Sequence, residues 1–237
     1  MSPRAAAPLL FTVLACAACD GPRDATPMPE PPSMDLSKVG PRNAIDTAGI
    51  ETTVIPLAGQ PGTAPPGSLV RVTPLDNDLS FSTASVDEEG GFSEILVNST
   101  PGSELRFQVV EDGQRSEPQD AFYLTGPAGY YLSPSLRHAC VRLAPGFEVT
   151  FVDMPLATLS VHNGCGAPVT LSNARSRTGN PGSRLSTPLP LVVQAGDDAQ
   201  LSLEYQGSAF GASEDILFVD VTLEGRTFRY PITLFAP

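Results

Sequence analysis

Tryptophan is absent from this chain of 237 residues, lysine occurs once, at Lys38, and histidine twice. Each shortage narrows the functions open to it. Sandwich domains that bind carbohydrate present flat aromatic rings to the sugar, and without tryptophan that platform falls to tyrosine. A serine-hydrolase triad needs a histidine base beside a nucleophile held on a tight turn. Here His138 and His162 both lie next to cysteines, and Gly-x-Ser-x-Gly does not occur. Charged residues are only 17% of the chain and the formal net charge is -12. Nucleic acid and anionic membrane surfaces recruit cationic faces, so neither is an expected partner. The nearest approach to a basic patch, Arg175, Arg177 and Arg184, is spread along a Gly/Asn/Pro-rich stretch and reads as a solvated loop. Paired acids at Asp76 and Asp78, at Asp87 to Glu89 and at Asp197-Asp198 sit beside turn-forming residues, where carboxylates bond their own backbone. None follows EF-hand spacing, which leaves Asp76-Asn77-Asp78 as an alternative Ca²⁺ site and no pair as an expected glycosidase acid and base.

The chain opens MSPRAAAPLLFTVLACAACDG. Arg4 supplies a short positive region, apolar residues run from Ala5 to Ala18, and small residues precede a cysteine. That is the layout of an export signal, too short to span a bilayer as a helix. The end of the segment resembles the bacterial lipobox, in which the cysteine is acylated before the leader is removed. Two registers are open. Val13, Leu14 and Ala15 precede Cys16, or Cys16, Ala17 and Ala18 precede Cys19. Choosing Cys19 discards Cys16 with the leader and leaves Cys140 and Cys165 as an even pair, whereas choosing Cys16 strands Cys19 as an odd thiol. Cys19 is therefore the expected lipidation site, with Cys16 the alternative and an ordinary cleaved secretory signal the rival. The resemblance implies an exported protein held to the bacterial cell envelope by acyl chains. Asp20 after the cysteine leaves the inner or outer membrane open.

Residues 20 to 42 carry six prolines and few large apolar residues, so they read as a semi-rigid polyproline-like tether with a reach of up to about 70 Å. The expected organisation is a signal peptide at 1–18, the lipid-bearing cysteine and tether at 19–43, one β-sandwich at 44–126 and a second at 127–237. From Ile50 onward no stretch keeps helical spacing for three turns, whereas short β-branched and aromatic runs alternate with turn signals. ETTVIPL, SLVRVTP, SFSTASV, GFSEILV and ELRFQVV are the strands of the first half. In the last of these Leu105, Phe107 and Val109 share one face and Arg106 and Gln108 the other. Turns are marked at Glu89-Gly90-Gly91 and Asp112-Gly113, where positive φ costs little. The sequon Asn98-Ser99-Thr100 reads as a turn before Pro101.

The runs PGSLVRV, VDEEGGFSEIL and PGSELRFQVVEDGQRSEP resemble bacterial Ig-like modules, which implies a spacer, adhesive or display role without catalytic residues. In the second half, Phe151, Asn163-Gly164, Gly196, Tyr205 and Gly211 hold places that resemble the hydin-type (ASH) Ig-like pattern, again implying protein contact or a structural repeat. The fold class is thus all-β, two Ig-like antiparallel sandwiches after a leader and a linker.

Export places Cys140 and Cys165 in an oxidising compartment, so a disulfide is expected, worth roughly 3.5 kcal/mol for a loop of this length. The sharper alternative is a metal site. His138 and Cys140 alternate on one strand face, His162 stands three residues before Cys165, and two cysteines with two histidines make a known tetrahedral zinc set. Tyr130 and Tyr131 could supply a sugar platform, although at a domain junction they are expected to pack between the domains. The function expected overall is non-enzymatic and without a cofactor: an envelope lipoprotein acting by protein interaction, adhesion or scaffolding. The alternative is a carbohydrate- or metal-binding sandwich.

Overall fold

The computed structural model describes residues 32–41, 54–77, 81–127, 129–151, 155–177, 183–206 and 213–236. The expected signal peptide, both lipidation candidates Cys16 and Cys19, and most of the expected tether lie outside the described residues. Among those described, no helix is long and apolar enough to cross a membrane.

Among the described residues, nine strands build the first sandwich: β1 (Val39–Pro41), β2 (Val54–Gly59), β3 (Leu69–Pro74), β4 (Ser82–Ser85), β5 (Phe92–Asn98), β6 (Glu104–Glu111), β7 (Gln114–Arg115), β8 (Gln119–Gly126) and β9 (Gly129–Pro134). The order β1-β2-β5 forms one sheet and β4-β3-β6-β8-β9 the other, with β7 attached to β6. All five strands expected from alternation are present, and both marked turns form. Asp87 accepts hydrogen bonds from the backbone N–H groups of Glu89 and Gly91 at 3.0 and 2.8 Å, and Gly90 takes φ +81°. Asp112 and Gly113 both take positive φ between β6 and β7, the pair of conformations that a two-residue hairpin needs. Leu105, Phe107 and Val109 on β6 pack into the core with Ile55, Leu57 and Val97 from the facing sheet. Before β1, the Nζ of Lys38 donates to the Gly62 carbonyl at 3.1 Å and so ties the entering chain to this sandwich.

The first sandwich extends beyond both boundaries expected at 44 and 126: Met34 and Val39, expected in the tether, enter its core, and β1 pairs with β2. β9 pairs antiparallel with β8 from Gly126↔Gly129 to Ala121↔Pro134, so the sheet ends at Pro134. The Tyr130-Tyr131 segment, expected at a domain junction, is instead the strand that returns along β8.

The second sandwich comprises β10 (Val141–Ala144), β11 (Glu148–Thr150), β12 (Leu156–Asn163), β13 (Val169–Ser176), β14 (Ser183–Leu185), β15 (Leu191–Val193), β16 (Asp198–Tyr205), β17 (Ser213–Leu223) and β18 (Arg226–Ala236). One sheet runs β10-β12-β16-β14 and the other β11-β18-β17-β13-β15. All pairings are antiparallel except β11 with β18. Leu159, Val161, Leu201 and Leu203 from the first of these sheets share a core with Val219, Val221, Ile232 and Leu234 from the second.

β3 and β6 of the first sandwich and β17 and β18 of the second are buried on both faces. The inward faces fill the two cores. On the outward faces, Arg71 meets Glu214, Arg106 meets Pro231 and Thr233, Gln108 meets Glu148, and Leu75 packs with Ile216 and Phe218, so the sandwiches join across the backs of their larger sheets.

Candidate functional site at the junction of the two sandwiches

The junction is built on arginine. Arg106, on β6 and 1% exposed, places Nε and Nη2 against the two carboxylate oxygens of Asp120 on β8 at 2.8 and 2.9 Å. The remaining donors cross the junction. Nη1 reaches Thr233 Oγ1 and Nη2 the Pro231 carbonyl, each at 2.7 Å. A planar guanidinium with five fixed donors can serve two sandwiches at once, which an ammonium cannot do with the same geometry. Arg71 on β3 grips Glu214 on β17 with both terminal nitrogens, while its guanidinium lies 3.8 Å from the centre of the Phe81 ring. Arg115 on β7 pairs with Glu214 at 3.0 Å and Glu148 at 3.4 Å. Arg229 on β18 bridges Asp76 and Glu104 at 2.7 and 2.6 Å, and Arg137, in the connection between sandwiches, pairs with Glu104 and Asp120.

Glu104 is 1% exposed, and burial alone would raise its carboxyl pKa. The charge of Arg137 and the hydrogen bonds from Arg229 and Arg137 outweigh burial and hold it below the ordinary value. Burial likewise works against the charge on Arg229, and its bonds to Glu104 and Asp76 reverse that, so its pKa rises. Five arginines therefore face five carboxylates in one layer, with a small apolar cluster of Leu75, Ile216 and Phe218 beside them. Such a layer orients two bodies. Within it Glu104 and Arg229 each favour the charged form of the other.

The connection between the sandwiches is clamped as well. The Tyr230 hydroxyl accepts from the His138 backbone N–H at 2.8 Å and donates to the His138 carbonyl at 3.1 Å. The His138 ring presents Nε2 to the carbonyls of Val221 and Arg226, each at 3.2 Å, so that nitrogen carries a proton. Burial pushes the Tyr230 hydroxyl up to about 12, and it stays a donor at neutral pH. Tyr230→Phe leaves the buried His138 N–H without its partner, while the His138 carbonyl keeps the Val141 N–H at 2.9 Å, and should cost about 1–3 kcal/mol in chemical denaturation; a loss below a few tenths would show that the clamp is solvated.

Cys140 and Cys165 form a disulfide, with Cα atoms 4.9 Å apart. Both thiols of the proposed zinc set are thereby used. His138 is turned to the two carbonyls above, and His162 pairs instead with Asp198 at 3.0 Å on an exposed strand face. Among the described residues no group of three or more His, Cys, Asp or Glu is arranged to hold a metal. Beside the disulfide, the fully buried Asn163 donates to the carbonyls of Ala167, Val193 and Gln194 and accepts from the Cys165 N–H. It ties the cysteine turn to the loop before β16, where Gly196, at φ +82°, donates to the Asn163 carbonyl. Phe151 and Tyr205 also meet, with ring centres 5.6 Å apart. Gly211 lies outside the described residues.

Tyr130 and Tyr131 are not packed between the sandwiches; they stand on β9, 40% and 45% exposed. Neighbouring strand residues point to opposite faces. Tyr130 stacks on Tyr123, with ring centres 5.1 Å apart, while Tyr131 lies against Gly126, so the two rings do not make one platform. The three arginines of the sparse basic stretch separate: Arg175 lies over Phe218, Arg177 donates across the junction to the Pro74 and Asn77 carbonyls, and Arg184 pairs with Glu204. Asp76 is bound to Arg229 and to the Glu104 N–H; Asp78 lies outside the described residues. Asn98 ends β5 just before the turn at Pro101–Gly102. A groove of about 610 Å³ separates Met34, Leu36 and Val39 from Leu132 and Pro134.

Two pairs of packed, predominantly antiparallel sheets place the chain in the class of Ig-like β-sandwich proteins. No protein-family model matches the sequence, and no curated protein sequence matches it either. Among solved structures it is similar to the ASH/PapD-like domain 7 of human CEP192, at 14% identity over 44% of this chain and 89% of that one, with a TM-score of 0.35. A protein of unknown function from Porphyromonas gingivalis W83 is similar at 13% identity over 77% and 90%, TM-score 0.33. The VesB protease of Vibrio cholerae is similar at 8% identity over 72% and 62%, TM-score 0.35. With likeness at this level, the class rests on the chain's own sheets and register.

Proposed function

We propose that this chain is an exported, lipid-anchored envelope protein, fixed through Cys19, that works without catalysis as a rigid unit for contact with other proteins. The observation that carries the reading is the arginine layer, which joins two Ig-like sandwiches into one body of set geometry. A module that displays a surface to a partner gains from such preorganisation, because less freedom is lost on binding. The leader and the proline-rich stretch supply the anchor and the reach.

Fractionation of cells tests the anchor. The wild-type protein should partition into detergent with the membranes, and Cys19→Ser should move it to the aqueous phase. Retention of Cys19→Ser together with release of Cys16→Ser would shift the lipid to Cys16. Affinity capture from envelope extracts should return a discrete protein partner. Binding to a glycan array that is lost in Tyr130→Ala or Tyr131→Ala would instead support a carbohydrate-binding role.

A further inference from the structure

The two apolar cores do not merge. One gathers Phe107 and its neighbours, the other Leu201 and its neighbours, and between them stand the ion pairs and the cluster of Leu75, Ile216 and Phe218. Cohesion inside each sandwich is mainly apolar and indifferent to pH, whereas cohesion between them depends on carboxylates staying ionised. We propose that the junction is an acid-releasable joint: at low pH the sandwiches part about the connection at 135–140 while each keeps its own fold.

The groups that face one another across the joint come from every element packed there. The first sandwich brings Arg71 of β3, Asp76 just after it, Glu104 and Arg106 of β6, Arg115 of β7 and Asp120 of β8. The second brings Glu148 of β11, Arg177 just after β13, Glu214 of β17 and Arg229 of β18, and Arg137 comes from the connection. Arginine keeps its charge at every pH of interest, so protonation of the acids leaves the arginines of the joint as like charges at close quarters. Glu104 is central because it joins Arg137 and Arg229. Its carboxyl lies below the ordinary glutamate value of 4.5, so its contribution is complete above that value and is lost as pH falls through the depressed one. The second sandwich keeps two restraints that do not titrate there, the disulfide Cys140–Cys165 and the Tyr230 hydroxyl on His138.

The connection itself reports the opening. Arg137 is largely buried in its pairs with Glu104 and Asp120, and Leu136 beside it is exposed. Full-length protein in detergent should resist trypsin at Arg137 at neutral pH. Glu104→Gln, which mimics the protonated state, should be cut there about a hundredfold faster, because cleavage follows the population of the open form. At about pH 3 the wild type should be cut by pepsin within 135–140, giving two protected fragments with the far-UV β signal retained. The proposal is overturned if pepsin leaves the chain intact, or if both sandwiches are digested together with loss of that signal. It also falls if Glu104→Gln, folded by the same spectrum, is as resistant at Arg137 as the wild type.

Discussion

Arg106→Ala should lower the stability of the whole chain by about 3–5 kcal/mol, the range found when one partner of a buried ion pair is removed. The substitution deletes bonds to Asp120, to Thr233 and to the Pro231 carbonyl at once. It also leaves Asp120 with Arg137 alone, at 3.3 Å. A net stability of about 5–15 kcal/mol is usual for a domain, so a large share of it would go. Calorimetry on the wild type and variant reads the loss directly. The double variant Arg106→Met with Asp120→Leu removes both charges, keeps apolar volume and should recover much of it. If Arg106→Ala costs under about 1 kcal/mol, the value of a surface pair, the junction is not closed in solution.

The second large effect belongs to the cystine. Cys140→Ser with Cys165→Ser should cost about 3.5 kcal/mol by the loop-entropy relation, and the midpoint of thermal unfolding should fall by about 10 °C at 2–4 °C per kcal/mol. The damage should concentrate on β10. That strand pairs only with β12, and its first residue, Val141, follows Cys140 and faces Asn163 in the ladder. Amide exchange should therefore quicken in β10 before it quickens in β16 or β17. A mass gain of about 2 Da on reduction of the wild type confirms the oxidised state, and an unchanged mass would remove the basis of the prediction.

Much of the fold was legible because a strand with one core face writes its period into the sequence. Leu105, Phe107 and Val109 alternate with polar residues, and Asp112-Gly113 follows where the chain must reverse with positive φ. The disulfide was legible from the number of cysteines left after the leader is set aside. The junction was not. Arg106 and Gln108 show the same alternation whether their face meets water or a matched set of charges, and nothing local separates the two. A signal did exist in β17, where Ile216-Leu217-Phe218-Val219 lacks the polar alternate of a half-exposed strand; near-continuous apolar runs mark strands covered on both sides. Tyr130 and Tyr131 misled for a related reason: two aromatics in succession look like a patch, but strand geometry sends them to opposite faces.

The five ion-paired arginines of the junction are matched by its five carboxylates, while the chain as a whole carries -12. The excess is therefore borne by the rest of the molecule, where acidic residues outnumber basic ones by more than two to one. Copies of such a body repel one another at short range, over a screening distance of about 8 Å at physiological salt. The molecule that is glued together inside by opposite charges is kept apart from its neighbours by like ones, a colloidal property set by the acidic excess of its outer surface.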